Sequence, residues 1–152
     1  MILPIVAYGS PVLRKVCTDI SADYSQLDKF IEDMWDTMYN SKGVGLAAPQ
    51  INKNIRLFVM DSVQIIESLD EEEKKDYPND EGYKGVFINA HISSLNGEDW
   101  AYNEGCLSIP KIREDIYRKE EVTVNFMDEK FQPLTKTFNG ITARVIYTNT
   151  IT

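Results

Sequence analysis

The sequence predicts an α+β fold in a single domain, and three observations carry that expectation. Apolar residues recur at three- and four-residue steps from Gln26 to Tyr39, the period of one amphipathic helix. Strand-like runs then follow one another at Ile55–Met60, Gly85–Ile92, Val122–Met127 and Phe131–Phe138, so helix and strand patterns are segregated and not alternating. No internal repeat and no low-complexity linker divides the 152 residues, so 1–152 is read as one domain.

Taken in order, the chain opens in extended form and reaches Ser10-Pro11-Val12-Leu13-Arg14-Lys15, a short helical turn entered through proline, whose fixed φ suits a first helical position. Cys17 sits beside Val16 with no His or carboxylate at ligand spacing, and reads as a small packing residue. In the first long helix Leu27, Phe30, Ile31, Met34, Trp35 and Met38 form the core-facing stripe. Ser25 is the expected N-cap, Asp28 stands three residues on, and Gly43 is the expected stop. A glycine loop, Gly43 to Gln50, leads into the apolar run Ile55–Met60, a buried strand ended by Asp61.

The stretch Glu67 to Glu81 sets Asp70, Glu71, Glu72, Glu73, Asp76 and Asp80 against only Lys74 and Lys75, and reads as a solvated surface excursion outside any site. Gly85–Ile92 is the next strand, with a turn expected at Asn96-Gly97. His91, the only histidine, reads as a surface or structural residue. Val122–Met127 alternates like a half-buried strand, Asp128-Glu129-Lys130 is its turn, and Phe131–Phe138 returns as a partner in which Pro133 argues for a sheet edge.

The composition narrows the function classes. A 152-residue domain buries about 68–70% of its unfolded surface, enough for a core without a disulfide scaffold. Cys17 and Cys106 are the only thiols, a pattern of reducing compartments. The N-terminus, Met1-Ile2-Leu3-Pro4-Ile5-Val6-Ala7-Tyr8, has neither a basic n-region nor a long apolar core, so no signal peptide or membrane span is read and the expected location is cytoplasmic. A net charge of −8 argues against a specific nucleic-acid partner, which needs clustered Lys and Arg.

Two motifs carry chemistry. Gly43-Val44-Gly45-Leu46-Ala47-Ala48-Pro49-Gln50 offers backbone donors and an amide side chain on a loop whose glycines are expected to supply a tight bend; it lacks the Gly-Lys-Ser/Thr ending of a phosphate loop. Glu104-Gly105-Cys106-Leu107-Ser108 offers a soft thiolate ligand. Together they resemble two of the three signature motifs of the peptide deformylase family, and Asn139-Gly140-Ile141-Thr142-Ala143-Arg144-Val145-Ile146, with Asn139 as its cap, is similar to the opening of that family's catalytic helix.

The resemblance implies mostly antiparallel strands packed around a C-terminal helix. It also implies hydrolysis of the N-formyl group from the N-terminal formyl-methionine of nascent polypeptides, with one divalent metal, iron or else zinc, nickel or cobalt, as cofactor. By the same resemblance Cys106 is a metal ligand, and Gln50 with the Leu107 backbone N–H is the oxyanion-stabilising pair. Gly43, Val44, Gly45 and Ile109 hold the formyl-methionyl strand, Arg113 lies near the rest of the peptide, and the ribosome is an implied partner. Gln50 should then face Cys106 across one cleft.

The third signature, His-Glu-x-x-His, falls where this chain reads Thr148-Asn149-Thr150-Ile151-Thr152, so the C-terminal helix is expected to be incomplete, missing or altered from about 147. Neither Thr148 nor Thr152 replaces a histidine ligand, and Asn149 cannot carry a proton as a glutamate does. The chain as written is therefore expected to hold metal weakly and to be inactive. Tyr147 to Thr152 is rich in β-branched and cap-type residues, a poor helix continuation. Codons for these residues, read in a shifted frame, can spell His-Glu-Tyr-Asp-His, which is compatible with a frameshift. The alternative is a non-catalytic deformylase-like protein that binds formylated N-termini or a partner.

Overall fold

The computed structural model describes residues 1–6, 17–75, 80–105 and 113–150, with 95–105 and 113–120 described as backbone. Five strands form one antiparallel sheet in sequence order: β1 (Gly45–Ala47), β2 (Leu57–Asp61), β3 (Lys84–Gly105), β4 (Arg113–Met127) and β5 (Pro133–Asn139). Helix α1 (Leu27–Asn40) precedes the sheet, the short helices α2 (Val63–Ser68) and α3 (Glu71–Lys74) lie between β2 and β3, and α4 (Gly140–Thr150) follows β5. Among the described residues no helix is long and apolar enough to cross a membrane.

Alternation along β2 explains how the two long helices take opposite sides. Leu57 and Val59 join Leu27, Ile31, Met34 and Met38 of α1 in one core. Phe58 and Met60 point the other way and join Phe87, Val122, Val124 and Phe126 with Ala143 and Ile146 of α4. Successive strand residues face opposite sides of a sheet, so a strand covered on both faces has to be apolar along its covered length, as Leu57–Met60 is. In the second core Phe87 stacks on Phe58 with ring centroids 4.6 Å apart and lies 4.2 Å from Phe126.

Several local expectations hold and several are corrected. The amphipathic stripe does form α1, but its N-cap is Gln26, with φ 55° and no side-chain cap bond, and not Ser25. At the other end Gly43 N donates to Met38 O at 3.0 Å. The hairpin of β4 and β5 forms with Pro133 as first residue of an edge strand. The turn expected at Asn96-Gly97 is replaced by continuous strand, with a register irregularity between Asn96 and Asp99. Because β4 runs alongside with a bonding partner for each side of the irregularity, the turn-forming pair is absorbed as a bulge. The helical turn expected over Ser10–Lys15 lies outside the described residues. Cys17 is buried, and that burial pushes its thiol pKa up, which keeps it protonated near neutrality.

The end of α1 meets the end of β2 through a polar contact. Tyr39 donates its hydroxyl to Asp61 Oδ2 at 2.7 Å, while Asp61 Oδ1 is buried with no hydrogen-bond partner among the described residues. Lys84, opposite Asp61 across the strands, sets its Nζ 5.4 Å over Trp35 and 5.7 Å over Tyr39. Partial burial first and the Asp61 carboxylate second push the Tyr39 pKa from 10.0 to about 12. The protonated phenol is thus favoured by folding, so its contribution is whole below pH 10 and is lost as pH rises through about 12. Tyr39→Phe is expected to cost about 1–3 kcal/mol in urea melts at neutral pH, by orphaning a buried carboxylate. It should also flatten the alkaline loss of stability seen in the parent.

Candidate active site

The glycine loop is fastened on both sides before it can line anything. Asp61 N donates to Val44 O at 2.8 Å, and Gln64 Nε2 donates to Gly43 O at 3.2 Å and to Asp61 O at 3.1 Å. Gly45 to Ala47 pairs in register with Met60 to Phe58. The glycines, however, do not supply the tight bend expected of them. The positive φ in this stretch belongs to Lys42, at 56°, and among the described glycines only Gly82 and Gly140 take one.

What Gly45 supplies is space. A Cβ built there would lie 2.5 Å from Asn149 Nδ2 and 3.2 Å from Val145 Cγ1, so strand β1 and helix α4 touch through the missing side chain. Position 149, where the resemblance places a catalytic carboxylate, is therefore pressed against the motif's second glycine. Gly45→Ala should push α4 outward and destabilise the domain by about 1–3 kcal/mol, the usual cost of overpacking. A thermal-melt double-mutant cycle with Asn149→Ala should recover most of that cost, because the clash is with the Asn149 side chain.

Gln50 is placed by the turn that carries it. Ala48–Ile51 forms a 3-10 turn with Pro49 near its start, closed by Asn52 at φ 67°. Ala47 N donates to Gln50 Oε1 at 2.9 Å in a buried setting, and Gln50 O accepts from Val6 N at 2.7 Å. With the amide oxygen committed to its own loop, the Nε2 end is the donor end, the polarity an oxyanion requires.

Helix α4 runs on through Tyr147, Thr148 and Asn149 to Thr150, against the low helical propensity of these residues. Tertiary packing overrides propensity here: Ile141, Ala143 and Ile146 are buried on the sheet. Asn149 Nδ2 and Thr150 Oγ1 bond back to the carbonyls of Val145 and Ile146 at 2.8 and 2.7 Å, so the polar side chains satisfy helix groups. Asn139 is the last residue of β5 and stands directly before the helix. A capping oxygen comes from Asp80, whose Oδ2 accepts from Thr142 N at 3.0 Å. Asp80 also corrects the view of 67–81 as wholly solvated, since it is buried while the side chains of Glu67, Asp70 to Lys75 and Glu81 are exposed. The available sequence signal was Asp80-Glu81-Gly82, an Asx-type turn in which Gly82 N donates to Asp80 Oδ1 at 3.0 Å.

Cys106, Leu107 and Ile109 lie outside the described residues, in the connection between Gly105 of β3 and Arg113 of β4, which pair across the sheet; Arg113 is described as backbone. The proximity of Gln50 to Cys106 falls there too. His91 is exposed and pairs with Asp19, 3.1 Å away, in agreement with a surface role. Among the described residues no three His, Cys, Asp or Glu side chains stand together as a metal-ligand group. Helix α4 meets Gly45 through Val145 and Asn149, and the residue before Asn149 is Thr148, so positions 148 and 149 offer a hydroxyl and an amide. That donor set does not fit a three-ligand transition-metal centre.

An α+β domain with a short edge strand, a buried amide on a 3-10 turn and a C-terminal helix packed against the strand's glycine has the architecture of a known class of hydrolases. The polypeptide deformylase family model matches residues 2–150. Peptide deformylases of Flavobacterium psychrophilum and Flavobacterium johnsoniae are 50% identical over 146 residues and 53% identical over 148, each over 96% of this chain and over 75% and 74% of their own lengths. Crystal structures of peptide deformylases from Thermotoga maritima and Acinetobacter baumannii superpose with TM-scores of 0.80 and 0.83 at 31% and 26% identity. They cover 98% and 99% of this chain and 89% and 92% of theirs. The chain belongs to the peptide deformylase family, a family of metal-dependent hydrolases.

Proposed function

We propose that this domain is built to remove the N-formyl group from formyl-methionine at the start of nascent polypeptides, and that the chain as written falls short of turnover because of the residues on α4. The observation that supports this reading is the contact of Asn149 with the space at Gly45: the family resemblance gives position 149 the general base, and an amide cannot accept and return a proton. In this reading Gly43, Val44 and Gly45 hold the methionyl backbone from one side, Ile109 from another, and Arg113 stands near the following residues. Gln50 Nε2 and the Leu107 N–H donate to the formyl oxygen as negative charge builds on it. Losing one such donor typically costs about 10²–10³ in rate. Cys106 is the thiolate of the family's metal centre. Ribosome-bound nascent chains are the proposed source of substrate, in the cytoplasm.

The purified chain should contain less than stoichiometric iron, zinc, nickel or cobalt by elemental analysis and release formate from a formyl-Met peptide no faster than background. Stoichiometric metal with turnover would refute the reading and would require ligands from other residues. The nucleotide sequence over the codons for Ile146 to Thr152 gives an independent check: His-Glu-x-x-His in another frame supports a deformylase gene with a shifted frame, and supported codons for Thr148 and Asn149 support a chain that carries these residues in the cell.

A further inference from the structure

We infer that Asp80 is a positioning residue of this site: its buried carboxylate fixes the first turn of α4 on the sheet and so holds Val145 and Asn149 against Gly45. The inference rests on the reading of α4 as the helix that carries the site. Asp80 is 8% exposed, although it belongs to the most acidic stretch of the chain. Its Oδ2 accepts from Thr142 N at 3.0 Å, and its Oδ1 accepts from Thr142 Oγ1 at 2.6 Å and from Gly82 N at 3.0 Å. Thr142 Oγ1 also lies 2.7 Å from Ser62 Oγ, and Ser62 Oγ accepts from Tyr83 N at 2.9 Å. The residue after β2, the entry to β3 and the start of α4 therefore converge on one carboxylate and one hydroxyl pair.

An ordinary N-cap lies next to its helix in sequence and says nothing about where the helix sits. This one reaches across 62 residues, so it fixes the helix relative to the sheet. A carboxylate at a helix N-terminus is favoured by the exposed N–H groups and the helix dipole, and charged hydrogen bonds are the stronger kind. Gly140 completes the fit: it turns into α4 at φ +61°, and a Cβ there would lie 2.8 Å from Asp80 Oδ2. From Thr142 to Asn149 the helix rises about 10 Å at 1.5 Å per residue. Over so short a length it behaves as a rod, so a shift of its first turn is passed to position 149.

The test is Asp80→Asn in the full chain, which keeps the shape but turns a donor toward N–H groups that need an acceptor. Amide exchange of 141–150 should speed up roughly tenfold or more, the scale of a lost cap, while amides of β2 and β3 change less than about twofold. The Gly45 backbone and Asn149 side-chain amide resonances should move with it. Glu81→Gln should move neither, Thr142→Ser should resemble the parent, and Thr142→Val should lie between parent and Asp80→Asn. If Asp80→Asn does not fold, Thr142→Val carries the same comparison, since it keeps the bond from Thr142 N. A uniform rise in exchange over the whole chain, or unmoved Gly45 and Asn149 signals, would overturn the proposal.

A second arm uses the chain carrying Thr148→His, Asn149→Glu and Thr152→His with the helix extended past position 152. There Asp80→Asn should lower kcat about tenfold and raise KM by much less, because position 149 shifts with the helix while Gly45 stays paired with Met60 in the sheet. An unchanged kcat would overturn the positioning role. Lack of turnover in that background before Asp80 is altered would count against the deformylase reading alone, with the resonance and exchange measurements still deciding Asp80.

Discussion

Thr148→His, Asn149→Glu and Thr152→His, made together with the helix extended past position 152 for support, should give a chain that binds a divalent metal and releases formate faster than the unaltered chain. A positioned general base alone is typically worth about 10²–10⁴ in rate. A held metal, which lowers the pKa of bound water toward about 7, is worth more. Helix geometry puts positions 148 and 152 on one face, a turn apart, and α4 already runs through 148, 149 and 150. Asn149→Glu alone should do nothing, because a base with no activated water has no proton to take. Metal content should recover before activity as the substitutions accumulate. Turnover from Asn149→Glu alone, or a fully substituted chain that holds metal and still fails to release formate, would contradict this account.

The parts of this molecule that were legible in the sequence are those decided locally. The stripe of Leu27, Ile31, Met34 and Met38 is a helix because its period is helical, and all four face one core. Leu57 to Asp61 is a strand covered on both faces because it has no polar alternation to spare. The motif Gly43 to Gln50 pointed to a site, but for a reason that was partly wrong: Gly45 is needed for the approach of Asn149 and not for its φ. Illegible were the features decided by partners far along the chain. Asn96-Gly97 has the composition of a turn and becomes a bulge because β4 lies beside it. Tyr147 to Thr150 has poor helical propensity and stays helical because the residues before it are anchored on the sheet. Asp80 looks like one more surface carboxylate until α4 is folded onto it, since nothing local links it to Thr142.

Phe87→Ala should be the most damaging single change to stability, and the reason is its place between sheet and helix. Its side chain is fully buried, stacked on Phe58 at 4.6 Å, against Phe126 at 4.2 Å, and met edge-on by Tyr83 at 5.6 Å. Removing a buried phenyl ring costs about 3–5 kcal/mol, part transfer and part cavity, against a total of about 5–15 kcal/mol for a domain. Beta strands on either side hold the backbone, so the site cannot collapse far, which favours the upper end of that range. Ala143 and Ile146 belong to the same core, so the cavity opens beneath α4. Exchange of the α4 amides should therefore rise by more than the global loss accounts for, and Gly45 should lose its contact with Asn149. Phe87→Leu fills most of the space and should cost less than half as much. Urea melts of the two variants decide the matter, and equal midpoints for Phe87→Ala and Phe87→Leu would show that ring packing does not hold α4 on the sheet.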